Sequence, residues 1–268
     1  MNYASRLDHR ITSAGDVLDC KDILQEIIAD RIYINSRLIE YFERVAKNPL
    51  YYPIEISGTN MSLMPTEVAR PYGLSISYHD QEPLRTMTSH VAYVLLSPLN
   101  RSVEIDLYDA PDDWNPDIFK TDIHITKAGH TSLQPGQVIA VKPEDRMLHF
   151  QFQGPTALIK IHSQPISTFE WSFNLDSGRA WQSIFAIPAD SNTAHACIVA
   201  RALADPRLVT GLTGLLENKC HQLRWTAAQA LGRIGRSHGI DAMQYLKDDA
   251  HPEIAAAARN ILNNIIIG

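Results

Sequence analysis

The 268-residue chain has little that would tie it to a membrane, an oxidising compartment or a nucleic acid. No stretch approaches the roughly 18 consecutive apolar residues of a membrane-spanning helix. The closing Ile265-Ile266-Ile267 is far too short. Met1 to Arg10 carries charges and no apolar run, unlike a secretory signal. Cysteine is scarce: Cys20, Cys197 and Cys220 are widely spaced, with no C-x-x-C pair, so neither a disulfide framework nor a cysteine-built zinc site is expected. Basic excess is also missing. A formal net charge of −6 gives no footprint for phosphate-backbone binding. H-E-x-x-H, Walker A, G-x-G-x-x-G and G-x-S-x-G are all absent. These absences lead to the expectation of a soluble cytoplasmic protein with no nucleic-acid or membrane partner.

The composition that remains, 45% hydrophobic and 20% charged, is that of a globular chain. Its patterning falls into three regions and predicts an α+β fold. Residues 1–50 form an N-terminal helical segment. From Asp16 to about Lys47, Leu24, Ile27, Ile28, Ile34, Leu38, Phe42 and Val45 recur at helical steps until Asn48-Pro49 stops them. This helix is expected to pack on the next domain or, alternatively, to dimerise. Residues 51–185 read as short strands between turns: Leu74–Tyr78, Val91–Leu96, Val103–Tyr108, Asp122–Thr126, Val138–Val141, His149–Phe152 and Ala157–Ile161. Asp109 to Phe119 reads as an exposed loop, with Asp112, Asp113 and Asp117 a solvated acidic cluster. Residues 186–268 return to helical spacing. There Leu223-Arg-Trp-Thr-Ala-Ala-Gln-Ala-Leu231 aligns with Ile254-Ala-Ala-Ala-Ala-Arg-Asn-Ile-Leu262, and a worn copy ends at Ile198–Leu203. Such units cannot bury their apolar faces alone and must stack.

The segment Leu223 to Gly235, with the Asp249–Ile254 turn that follows, resembles the short HEAT-like repeats of the phycobilin-lyase type. The resemblance implies a helical repeat stack that docks a protein partner. The segment Thr131 to His149 runs from a Pro135-Gly136 turn through a strand and a second turn to a histidine. It resembles the second motif of cupins, with one extra residue before His149 and Asp145 in the usual glycine position. Upstream, Tyr93-Val94-Leu95 resembles the strand that follows the first cupin motif. His90 falls at that motif's glutamate position, and the region of Leu84 to Met87 lacks its paired histidines. A cupin-like double-stranded β-barrel is therefore implied for the central region, with a homodimer as a plausible assembly.

Two functional readings follow. The first is a non-catalytic small-ligand-binding or accessory protein, with the ligand in the barrel and no cofactor. The alternative is a metal-dependent cupin enzyme of the dioxygenase, hydroxylase or isomerase class, using a divalent metal such as Fe(II) on a small polar metabolite. A catalytic metal needs at least three neutral imidazoles or carboxylates on one inner face. By the resemblance, His149 and His90 would be ligands with His79 or Glu82 as the third, while Arg85 or Arg146 would pair with a substrate carboxylate. The other histidines read as structural: His124, His130 and His162 as surface or satisfied polar residues, His221, His238 and His251 near helix ends, and His195 behind a cap at Ser191–Thr193. Cys20 and Cys197 read as buried thiols. Trp171 and Trp181 are expected to pack the junction between the β-region and the repeats, or to form an aromatic ligand shelf.

Overall fold

A computed structural model describes residues 2–48, 56–57, 59–64, 70–80, 85–112, 114–143 and 145–267. It resolves into two compact units, Met1–Ala186 and Ile187–Gly268.

The first unit opens with α1 (Tyr3–Arg10), a 3₁₀ turn (Gly15–Cys20), α2 (Lys21–Ala29) and α3 (Arg31–Lys47). The continuous helix predicted from Asp16 is thus broken. Asp30 breaks it by capping: its carboxylate accepts the Tyr33 N–H at 3.0 Å and the Tyr3 hydroxyl at 3.0 Å. Asp16 accepts the Thr12 hydroxyl and the N–H groups of Ser13 and Thr12, which pulls its pKa down to about 2. Leu7, Val17, Leu24 and Ile27 are buried together with Leu74, Leu95, Ile159 and Ile161 of the sheet below. Cys20 lies in the same core, where burial pushes its thiol to about 11.

The strands are β1 (Ile56–Ser57), β2 (Asn60–Ser62), β3 (Tyr72–His79), β4 (Thr86–Thr88), β5 (Val94–Pro98), β6 (Val103–Asp109), β7 (Thr126–Leu133), β8 (Ile139–Val141), β9 (Arg146–Gln151), β10 (Thr156–Ser163), β11 (Phe169–Asn174) and β12 (Ala180–Phe185). They form a six-stranded sheet, β1-β2-β3-β10-β5-β8, and two three-stranded sheets, β12-β11-β4 and β7-β6-β9. β4 lies beside the free edge of β9. The order β3-β10-β5-β8 is that of one layer of a double-sheet jelly roll, and β9-β6-β7, with β4 beside β9 but not hydrogen-bonded to it, follows the order of the other.

Alternation sorts each strand between its two faces. On β6, Val103, Ile105 and Leu107 pack with Leu148, Phe150, Leu158 and Leu96 between the sheets. Asp122–Thr126 is not a strand; His124 makes one isolated bridge to Arg179, and β7 begins only at Thr126. The preceding segment exposes Asp112 and Asp117 as expected, but its aromatic residues turn inward. Its Trp114 and Phe119 lie edge-on to Trp171 at 5.6 and 4.9 Å, and the Trp171 Nε1–H donates to the Pro116 carbonyl at 2.8 Å. Trp171 is therefore buried inside the first unit, whereas Trp181 is exposed.

The second unit comprises α4 (Pro188–Leu203), α5 (Val209–Gly214), α6 (His221–Ile234), α7 (Arg236–Leu246) and α8 (Pro252–Ile267). Ser191–Thr193 lie inside α4 rather than before it, because Pro188, with its pre-set φ, already occupies the first turn. Alanines 227, 228, 230, 242 and 258 fill the core with Leu231, Leu246 and Leu262. Beneath them, Arg224 binds Asp249 through Nε at 2.7 Å and also donates to the Asn218 and Lys219 carbonyls. This pins the start of α6 to the turn before α8.

The crossing of α6 and α7 depends on one glycine. A Cβ on Gly239 would stand 2.7 Å from the Gly232 Cα, whereas a Cβ on Gly232 would meet Gly239 at an ordinary 3.7 Å. Gly239→Ala is therefore expected to destabilise the helical unit by about 1–3 kcal/mol through forced backbone movement. Gly232→Ala is expected to be neutral or to stabilise by about 0.5–1 kcal/mol. Thermal unfolding of the two variants, followed by helical circular dichroism, checks this asymmetry; equal losses would refute it.

Candidate functional site

A cavity of about 580 Å³, open to solvent on one side, lies between the six-stranded sheet and the strands β4 and β9. Strand register decides what faces it. On β10, Leu158 and Lys160 point inward, while Ile159 and Ile161 point to the helices. Across from them, β3 offers Ser77 and His79, β5 Val94 and Leu96, β4 Thr86 and Thr88, and β9 Leu148 and Phe150, with Phe152 just beyond. The walls are thus mainly apolar, with a few convergent polar groups, as small-molecule sites usually are.

Lys160 is the residue that sequence reasoning missed. It pairs in register with Ser75 on one side and Leu96 on the other. No hydrogen bond or ion pair of its ammonium occurs among the described residues. Burial lowers its pKa. Beside it, Ser75 buries a hydroxyl oxygen with no hydrogen-bond partner among the described residues. The signal was present in Ala157-Leu-Ile-Lys-Ile161: a single charge interrupts an apolar run whose strand is covered on both faces.

Burial lowers the pKa of three histidines in this region, His79, His90 and His162. His79 shares a 3.0 Å hydrogen bond with the Ser77 hydroxyl and stacks on Phe152 at 4.5 Å. Burial, then the Lys160 charge, lowers its pKa. His90 Nε2 accepts the Leu148 N–H at 3.1 Å, closing the open edge of β9. Its burial pushes its pKa to about 4, and the backbone donor assigns the ring proton to Nδ1. His162 lies over Gly73, whose missing Cβ leaves it room: a Cβ there would fall 2.5 Å from the imidazole Nε2.

His149 borders the cavity, but register sets its side chain on the other face of β9. It pairs with Asp106, while Leu148 and Phe150 face inward. The extra residue before His149 accounts for this, since a one-residue shift in a strand exchanges its faces. Glu82 lies outside the described residues. Arg85 and Arg146 do not line the cavity; they pair at the surface with Asp176 at 3.2 Å and Asp109 at 2.9 Å. Among the described residues, no three His, Cys, Asp or Glu side chains gather as a metal site. With His90 Nε2 committed to a backbone donor, the described members of the set, His79, His90 and His149, do not gather as the ligands that the cupin resemblance implies.

The outer face of the same small sheet carries a second polar group. His130 bridges Asp106 through Nδ1 and Glu104 through Nε2, each at 2.8 Å. Asp106 also takes Lys127 and Gln151, each at 2.7 Å.

No family model matches the chain, and no curated protein does. Solved structures do resemble it loosely. A hydroquinone 1,2-dioxygenase in complex with Cd2+ and 4-hydroxybenzonitrile is 13% identical, over 46% of this chain and 71% of that one, with a TM-score of 0.29. A sugar phosphate isomerase of the cupin superfamily from Silicibacter pomeroyi is 11% identical over the same shares, with a TM-score of 0.28. A Cupin 2 conserved barrel domain protein from Salinispora arenicola is 12% identical, over 39% of this chain and 73% of that one, with a TM-score of 0.26.

The hydrogen bond to Asp106, then that to Glu104, raises the His130 pKa above its ordinary 6.5. A raised folded-state pKa contributes stability that is fully present below the unfolded value and is lost as pH rises through the folded one. Urea unfolding is expected to show that loss on the alkaline side of 6.5, and His130→Gln is expected to flatten it. An unchanged pH slope in the variant would show that the bridge contributes nothing.

Proposed function

We propose that the first unit is a cupin-like small-ligand-binding domain, and that the chain acts as a binding or accessory protein rather than as a metalloenzyme. The observation that carries this reading is Lys160: a partly buried ammonium in an apolar cavity, with no counter-ion among the described residues and an unpartnered Ser75 hydroxyl beside it. A charge removed from water is stabilised by an opposite charge, and here the ligand supplies it. The ligand class that fits is a small organic acid with an apolar or aromatic body. Its carboxylate pairs with Lys160, its body lies against Leu158, Leu96 and Phe150, and the neutral His79 is within the same cavity as a hydrogen-bonding partner. The second unit is read as a HEAT-like stack that docks a partner protein. The support is that the aligned repeats, Leu223–Leu231 and Ile254–Leu262, fall on α6 and α8, each following a shorter helix.

Titration calorimetry with aromatic and branched monocarboxylates, each against its primary amide, tests the ligand class. The acids are expected to bind at least about tenfold more tightly than the amides, a difference of ~1.4 kcal/mol. Lys160→Met is expected to abolish that preference and to raise the melting temperature of the ligand-free protein. Acids that bind the variant equally well, or acids and amides that bind wild type alike, would remove the basis of the reading.

Metal content is a separate test. After loading with Fe(II), Mn(II), Ni(II) or Zn(II) and desalting, no metal is expected to remain in proportion to protein. Stoichiometric metal that is lost in His90→Ala would instead restore the enzyme.

A further inference from the structure

The helical unit contains six arginines. Three are paired with carboxylates: Arg207 with Asp205, Arg224 with Asp249 and Arg259 with Asp248. The other three, Arg201 on α4, Arg233 on α6 and Arg236 on α7, have no carboxylate partner among the described residues; Arg201 reaches only the Gln229 amide, at 3.2 Å. These same three border one groove of about 530 Å³. Its walls include Trp225, Ile240 and Ile261, and its floor lies where Gly232 and Gly239 bring α6 and α7 into backbone contact. Three uncompensated guanidinium groups around an apolar trough repel one another, and an occupant that carries carboxylates relieves that repulsion.

We infer that this groove docks an acidic segment of a partner protein, with Asp or Glu side chains flanking a large apolar residue. The inference rests on reading the second unit as a docking module, and it names the chemistry of what docks. Guanidinium groups bind carboxylates bidentately, and planar Arg and Trp surfaces hold an aliphatic or aromatic side chain between them. A peptide suits the site better than a nucleic acid. The whole chain carries −6, which opposes long-range attraction of a polyanion, whereas a short acidic segment needs only the local field of the three arginines.

The test is selection of a displayed random-dodecamer library on the full-length protein. Wild type is expected to enrich Asp and Glu beside Leu, Phe or Trp. Recovered peptides, labelled with fluorescein, are expected to bind at least about tenfold more weakly to the Arg233→Glu/Arg236→Glu variant and to weaken steeply with salt. Both arginines are exposed, so an unchanged melting temperature is expected and confirms that the variant is folded. Peptides without acidic enrichment, or acidic peptides that bind the variant undiminished, would overturn the groove while leaving docking elsewhere on the unit. Recovery of no peptide would overturn both. Equal or tighter arginine-dependent binding of a single-stranded oligonucleotide would overturn the acidic-peptide assignment in favour of a polyanion.

Discussion

The central strands of the six-stranded sheet are covered on both faces, and the rest of the first unit is arranged around that constraint. β10 must satisfy two environments at once. Ile159 and Ile161 close against α1, α2 and the 3₁₀ turn, while Leu158 faces the second sheet. A strand in that position has no solvent-facing residue, so any polar side chain on it must be supplied with partners by the interior. Lys160 is the exception, and its neighbours Ser75 and His79 show that the interior around it has been left polar rather than filled. The cavity and its chemistry are thus consequences of where one charge sits in a doubly covered strand.

The same period-two logic separates this chain from the metal-binding pattern that part of its sequence resembles. The Pro135-Gly136 turn and the strand after it resemble a cupin motif, but register sets the His149 imidazole level with Asp106 and brings Leu148 inward. His90 is likewise diverted. Instead of presenting a ring nitrogen to the cavity, it accepts a backbone N–H at the unpaired edge of β9. His90 thus has a structural use, and the inner surface left behind is mainly apolar with the imidazole of His79 at its margin.

The helical unit is governed by a different economy. Small residues let its helices approach, down to the backbone contact at Gly239, and the Arg224–Asp249 pair fixes the turn between repeats. The close approach also creates the trough that Arg201, Arg233 and Arg236 surround. Arginines that have no carboxylate partner among the described residues collect where its surface is concave.

Hydrophobic periodicity alone determined much of the architecture: a helical start, a β-rich middle, a helical end, and most of the inner strands from Leu74 to Ile161. Those features are local, since the spacing of apolar residues along one segment is enough to specify them. What periodicity did not reach depended on distant partners. The break at Asp30 involves the Tyr3 hydroxyl as well as the Tyr33 N–H, and the partial burial of Trp114 and Phe119 needs Trp171 on a strand far along the chain. β11 went unread although Phe169, Trp171 and Phe173 alternate with Glu170, Ser172 and Asn174, whereas the Ala180–Phe185 run of β12 carries no clean alternation. Within the cavity, the presence of His79, His90 and His149 was legible, but the face each one occupies was not. A shift of one residue inverts a strand, and only pairing with neighbouring strands sets that register. Lys160 was overlooked for the same reason: a lysine in an apolar run becomes informative only once tertiary structure has shown that both sides of its strand are covered.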